Sequence, residues 1–223
     1  MRILIISATA TENRFTKDLD PNGGFPVKVN APFNHDIDVL VSGIGAVPTA
    51  FALTRFVQGY DLVINIGIAG SFKANIPVGT VVCVKEDSFG DYGIDDRGTF
   101  KSLSELRTSA NLLPSQDEVL LNPWINFNFP KFKVPLVKGI TLSTASGSAD
   151  VIDRIYKRWN ADIETMESAS VFYVCKLLGI RFICYRAISN MVEPRDKSKW
   201  EIAKAIDNLN IEVNSFIESL PLR

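Results

Sequence analysis

A chain of 223 residues, 46% hydrophobic and 22% charged, is composed like an ordinary globular protein, which excludes a disordered, collagen-like or coiled-coil chain. Twenty-four Lys and Arg against twenty-five Asp and Glu leave a net charge of -1. That is no basic excess for phosphate backbones, so nucleic acid is not an expected partner. At roughly 150 residues per domain the length predicts one large domain, residues 1–223.

In chain order, Ile3 to Ile6 reads as a buried strand and Ile37 to Val41 as a second. Gly43-Ile44-Gly45 and a helix over Thr49 to Val57 follow. Leu62 to Ile66 is a third strand, and Val78 to Val84 and Val134 to Leu142 are two more. Helices are predicted over Val151 to Trp159 and Ser168 to Leu178, with a strand over Arg181 to Ile188 after them. Apolar residues at 202, 206, 209, 213, 216, 217 and 220 recur at spacings of three and four and mark a final amphipathic helix. Strands alternating with helices predict α/β architecture around a mostly parallel sheet. The stretch Ser88 to Lys133 is rich in Gly, Asp, Asn and Pro. It reads as an excursion over the site, not a second domain.

Cys83, Cys175 and Cys184 lie in apolar runs, and their number is odd. With no CxxC, they predict buried free thiols in a reducing compartment, with no disulfide or zinc site. The first apolar run is too short for a signal-peptide core, and no stretch approaches the ~18 apolar residues of a membrane helix. A cytoplasmic chain without a membrane partner is expected. The single histidine, His35, sits between Asn34 and Asp36 and is expected to be solvated, which disfavours a mechanism built on histidine.

Ligands of open α/β sheets sit at the carboxyl ends of strands. The segments there are Ser7 to Glu12, Ser42 to Gly45, Gly67 to Ser71 with Ala69 and Gly70 at its centre, Ser143 to Gly147, Met166-Glu167 and Ser189-Asn190. Small residues leave room for a ligand; two carboxylates and an amide supply polar chemistry. Each has a plainer reading. Gly43-Ile44-Gly45 is a tight turn unless it opens a dinucleotide fingerprint, whose third glycine is replaced by Pro48. Glu12 alone reads as an exposed carboxylate, Glu167 as a partner of a helix dipole, and Asn190 as a turn residue.

Their order and context carry more. Ser42-Gly43-Ile44-Gly45, Ile64-Asn65-Ile66-Gly67-Ile68-Ala69-Gly70, Pro77-Val78-Gly79-Thr80-Val81-Val82, Thr165-Met166-Glu167-Ser168-Ala169 and Arg186-Ala187-Ile188-Ser189-Asn190 together resemble the nucleoside phosphorylase/nucleosidase superfamily over nearly the whole chain. Within it the chain looks closest to methylthioadenosine/adenosylhomocysteine nucleosidases and to futalosine hydrolases of menaquinone biosynthesis. Phe89-Gly90-Asp91-Tyr92-Gly93-Ile94-Asp95-Asp96 and Val192 to Trp200 look like the latter. The resemblance implies a single-domain phosphorylase-like fold with a mixed, mostly parallel sheet, and a homodimer or larger oligomer. It implies a purine nucleoside substrate and no cofactor.

It also implies roles. Phosphorylases carry an arginine where this chain has Asn65, so water, not phosphate, is expected as nucleophile. Glu12 corresponds to the general base. Glu167 corresponds to the acceptor of the ribose hydroxyls, with Met166 against the sugar. Ala69, Gly70, Ser143 and Ser189 line the substrate. Asn190 stands where adenine-releasing nucleosidases place Asp. An amide offers NH2 to O6 and C=O to N7–H of a 6-oxopurine, which points to hypoxanthine and hence to futalosine. The alternative is an adenine enzyme that tolerates Asn. Futalosine also carries a benzoate-type carboxylate on its 5′ side, for which Arg195 is the candidate cation, with Lys197 and Arg97 as others; an ion pair with Asp196 or Glu193 is its plainer reading. Phe89 or Tyr92 is the candidate to stack on the base. A phosphorylase, a non-catalytic nucleoside-binding protein and a dinucleotide oxidoreductase remain the other classes.

Overall fold

The computed structural model describes residues 1–20, 23–30, 33–102, 105, 118–126 and 132–221. Strands β1 (Arg2–Ser7), β2 (Val27–Lys28) and β3 (Asp36–Val41) come first, then α1 (Ala46–Phe56), β4 (Leu62–Ser71) and β5 (Val81–Asp87). A hairpin of β6 (Gly93–Asp96) and β7 (Thr99–Ser102) and the short β8 (Leu120–Leu121) precede β9 (Leu136–Thr141) and α2 (Ala149–Trp159). The chain ends through β10 (Ile163–Thr165), α3 (Ser168–Leu178), β11 (Arg181–Met191) and α4 (Ile202–Ser219).

The main sheet runs β10-β9-β5-β11-β4-β1-β3-β2, and β10 also pairs with β4. That second pairing closes β4, β11, β5, β9 and β10 into a ring. The β1–β3, β1–β4, β4–β11, β5–β9 and β9–β10 ladders are parallel, whereas β5–β11, β4–β10 and β2–β3 are antiparallel. The expected mixed, mostly parallel α/β sheet is what forms. β1 is apolar at four consecutive positions because both its faces are covered. One core lies beneath α1 and α3, where Leu4, Ile6, Val63, Phe172 and Phe182 meet. A second, with Ile3, Ile64, Tyr185, Leu209 and Phe216, lies beneath α4.

Several boundaries depart from the periodicity. β4 and β11 run on through Gly67–Ser71 and Ser189–Met191, segments that read as loops beyond the strands. They stay in register because each supplies the other's hydrogen bonds, across an irregularity between Ile188 and Asn190. α1 starts at Ala46, ahead of the apolar run, with Gly45 at φ 101° preceding it. Within the excursion Ser88 to Lys133, part of which lies outside the described residues, β6, β7 and β8 form. In α4, Ile202 is exposed and the buried stripe includes Asn210. His35 is half-buried with Nδ1 3.5 Å from the N-terminal nitrogen, and burial lowers its pKa. The three cysteines are buried free thiols. Among the described residues no helix is long and apolar enough to cross a membrane.

Candidate active site

Glu12 ends a short 3-10 turn, Ala10–Glu12, directly after β1 and is only 7% exposed. Its Oε2 accepts from the Thr9 backbone N–H at 2.9 Å and from Thr9 Oγ1 at 3.1 Å. Its Oε1 accepts from Ile68 N–H in β4 at 3.3 Å. Burial pushes its pKa up; the Thr9 N–H opposes this, the Glu167 carboxylate adds to it, and the Arg186 guanidinium opposes it. Glu12 can approach β4 because residue 67 is glycine. A Cβ there would stand 3.2 Å from Glu12 Oε1 and 3.5 Å from Arg186 Cζ. The turn is tied to α4 by Asn210, whose Nδ2 donates to Glu12 O at 3.0 Å and whose Oδ1 accepts from Arg14 N–H at 3.0 Å.

Arg186 in β11 is fully buried. Nη1 donates to Tyr185 O at 2.8 Å and Nη2 to Asn65 Oδ1 at 2.5 Å. Asn65 Nδ2 in turn donates to Ile6 O at 3.0 Å. Asn65 therefore braces the central strands, and a guanidinium stands one strand away, against Gly67 and within the field of Glu12.

Glu167 caps α3 and is 9% exposed. Its Oε1 accepts from Gly45 N–H at 2.9 Å, and Ser170 Oγ donates to Ala46 O at 2.9 Å, so the starts of α1 and α3 are joined. Behind them Asp87, at the end of β5, accepts from Ser88 N–H at 2.7 Å and from Thr141 Oγ1 at 3.0 Å. Thr141 Oγ1 also accepts from Ala169 N–H in the first turn of α3 at 2.9 Å and lies 3.0 Å from Thr165 Oγ1. Met166, half-buried, sits between Thr165 and Glu167. Burial raises the Asp87 pKa to about 7, against the hydrogen bonds from Thr141 and Ser88.

Ala69, Gly70, Ser189 and Asn190 converge where β4 and β11 end. Ser189 Oγ lies 3.3 Å from Ala69 O and donates to Asn190 Oδ1 at 2.8 Å. Asn190 Nδ2 donates to Met191 O at 2.9 Å. A Cβ on Gly70 would lie 3.2 Å from Asn190 Nδ2. An amide has two donor hydrogens and two acceptor lone pairs, so one of each remains for a ligand.

The rim is less uniform. Ser143 is exposed, with its N–H on Asp91 Oδ2 at 2.7 Å and Oγ 3.3 Å from Asp91 Oδ1. Arg195 N–H donates to Gly147 O at 3.2 Å, and its guanidinium lies 5.5 Å from the centre of the Trp200 ring. The expected ion pairs of Arg195 do not form: Glu193 pairs with Lys199, and Asp196 accepts from Ser198. Lys197 and Arg97 are exposed. Phe89 packs on Tyr173 and Tyr92, tying it to the α3 side of the core, and Tyr92 is exposed.

Sequence reasoning passed over Arg186, Asn210, Asp87 and Glu164. Arg186 was legible as a charge inside an apolar strand; the others act through contacts between distant segments.

Residues 14–219 match the family described as the phosphorylase superfamily. The chain is 30% identical over 220 residues to the futalosine hydrolase of Acidothermus cellulolyticus, an alignment covering 93% of this chain and 86% of that one. It is 26% identical over 215 residues to the 5′-methylthioadenosine/S-adenosylhomocysteine nucleosidase of Buchnera aphidicola subsp. Schizaphis graminum, covering 90% and 88%. The native structure of futalosine hydrolase of Helicobacter pylori superposes with a TM-score of 0.78 at 16% identity, over 98% of each chain.

Proposed function

The chain belongs to the phosphorylase superfamily and is an N-glycosyl hydrolase, and we propose that its substrate is futalosine, cleaved by water to hypoxanthine and the dehypoxanthinyl product in menaquinone biosynthesis. Leaving of the base builds positive charge on the ribose and negative charge on the purine. Glu12 takes a proton from water as it attacks the anomeric carbon, and the C1′–N9 electron pair departs with the base. Glu167, held by Gly45 N–H through one oxygen, offers the other to the ribose hydroxyls, with Met166 against the sugar. Ile68 N–H holds Glu12 from behind, and the Arg186 guanidinium acts on it through its field. The Arg186 guanidinium is already engaged by Tyr185 O and Asn65 Oδ1, which argues against phosphate in that position.

The observation that carries the reading is Asn190. The departing purine takes up a proton at N7 from solvent, and the remaining N–H and lone pair of Asn190 match O6 and that N7–H of hypoxanthine. Arg195, with no carboxylate partner among the described residues, is the cation for the 5′ carboxylate. The second reading, a methylthioadenosine/adenosylhomocysteine nucleosidase, draws on the Buchnera relative. We also infer a homodimer, through the apolar face of α1.

The test is incubation with futalosine, aminofutalosine, inosine, methylthioadenosine and adenosylhomocysteine in phosphate-free buffer, with identification of the released base. Hypoxanthine from futalosine is expected. Preference for any 6-amino substrate, or a strict phosphate requirement, overturns the reading. Asn190→Asp is expected to shift the futalosine/aminofutalosine kcat/KM ratio toward the 6-amino compound by about 5- to 150-fold, because a mismatched buried group costs ~1–3 kcal/mol.

A further inference from the structure

The two oxygens of Glu12 are held differently, and the difference lies in one residue. Oε2 accepts twice from Thr9, from its backbone N–H at 2.9 Å and from Oγ1 at 3.1 Å. Oε1 accepts once, from Ile68 N–H at 3.3 Å. A carboxylate offers about four lone-pair sites, two on each oxygen. Thr9 fills both sites of Oε2, so the site that remains is on Oε1. That oxygen lies against Gly67, where a Cβ would come within 3.2 Å of it. The Thr9 hydroxyl has one hydrogen, and its oxygen is 2.9 Å from Thr11 Oγ1. An ionised carboxylate can only accept, so Thr9 donates to Glu12 and Thr11 donates to Thr9. Thr11 is exposed and Thr9 half-buried, so this pair of hydroxyls leads from the surface to a carboxylate that is buried.

We propose that Thr9 is the positioning residue of the base: its hydroxyl holds Glu12 Oε2 against the 3-10 turn and leaves Oε1 as the oxygen that takes the proton from water. The proposal rests on the reading of Glu12 as general base. A hydrogen bond is stronger to a charged acceptor, so the same hydroxyl favours the ionised, working form of Glu12 against the burial that opposes it. Among the described residues no other side chain reaches the carboxylate by a hydrogen bond. The Glu167 carboxylate at the start of α3 and the Arg186 guanidinium of β11 act on it through their fields. β4 presents a backbone N–H, and α4 presents the Asn210 amide, which donates to the Glu12 carbonyl. Arg14 reaches Thr11 O and Asp207 instead.

The test is Thr9→Val, which removes the hydroxyl and keeps the backbone N–H. Thr9 is extended, at φ -132° and ψ 156°, a conformation that suits a β-branched residue. Hydrolysis of futalosine is followed across pH, with methylthioadenosine in its place if that is the better substrate. The acid limb of kcat/KM is expected about one pH unit higher than in the wild type. On that limb kcat/KM is then about 10-fold lower, and raising the pH recovers the loss while KM on the plateau holds. Thr9→Ser is expected to return the limb to its wild-type position. A loss of one size at every pH would mean that Thr9 only braces the turn, and an unmoved limb that its hydroxyl does not act on the base; either overturns the proposal. So does a Thr9→Ser variant that behaves like Thr9→Val. Carboxyl 13C NMR of protein labelled at glutamate Cδ makes the same measurement without turnover. The Glu12 signal is the one missing from Glu12→Gln; its titration midpoint is expected to rise by the same amount in Thr9→Val, and an unmoved midpoint overturns the assignment. A limb that persists in Glu12→Gln sinks the reading of Glu12 as the base. A limb that vanishes there but stands still in Thr9→Val sinks this inference alone.

Discussion

Glu12 illustrates how a fold prepares one side chain for the role of base proposed for it. In the sequence it is a carboxylate after a strand; in the fold it is enclosed, with neighbours that pull its pKa both ways and burial dominating. Only the ionised form takes a proton, so activity falls as pH drops through the Glu12 pKa. Because that pKa is raised, the acid limb of kcat/KM is expected above the ordinary carboxylate range. Glu12→Gln is expected to remove that limb and to lower kcat by about 100- to 10,000-fold, with product binding retained by calorimetry. Near-normal turnover in the variant would place the base elsewhere, with Glu167 the first residue to test.

At the level of elements, the site depends on where α3 begins. Its first turn is hung from β5 and β9 through Asp87, Thr141 and Ala169 N–H, and that turn carries Glu167. Thr141→Val leaves a buried N–H unpaired and is expected to cost about 1–3 kcal/mol of stability, with KM rising more than kcat falls. Asp87 adds a pH signature. Its folded pKa is about 7, above the ~3.9 of an unfolded Asp. Between those values the folded state binds the extra proton. The stability it confers is therefore complete below pH ~4 and is lost as pH rises through 7. Denaturant unfolding at pH 5 and pH 8 is expected to show a larger fall for wild type than for Asp87→Asn. Parallel behaviour of the two proteins would remove Asp87 from this account.

At the scale of the molecule, the α1 face is the feature a lone chain leaves unexplained. Val47 and Phe51 are exposed along it and Ile44 just before it, Val47 at 81%. They adjoin Gly45, whose N–H holds Glu167. The second copy proposed above would cover this row and steady the Gly45 turn. Sedimentation is expected to give twice the 24.7 kDa chain mass. Val47→Asp is expected to shift the protein toward monomer and to raise KM. A monomeric wild type would remove this interface.

The α/β class, the buried strands β1, β3 and β4 and the helices α2 to α4 were legible in the residues, because burial on one or both faces writes a period into the chain. The motifs around Glu12, Gly67, Glu167 and Asn190 were legible as well, since small residues and isolated polar groups at strand ends are local features. The extension of β4 and β11 through their glycine- and serine-containing ends was not: a strand held by its neighbours' hydrogen bonds needs no apolar alternation of its own. Nor could the sequence show that Arg186 stands near Glu12, that Asn210 of the last helix holds the Glu12 turn, or that Glu164 and Asn190 share one glycine between them. Those pairs are 174, 198 and 26 residues apart along the chain. Only the closure of the sheet, through β10 against β4, brings Glu164 and Asn190 to the two sides of one strand.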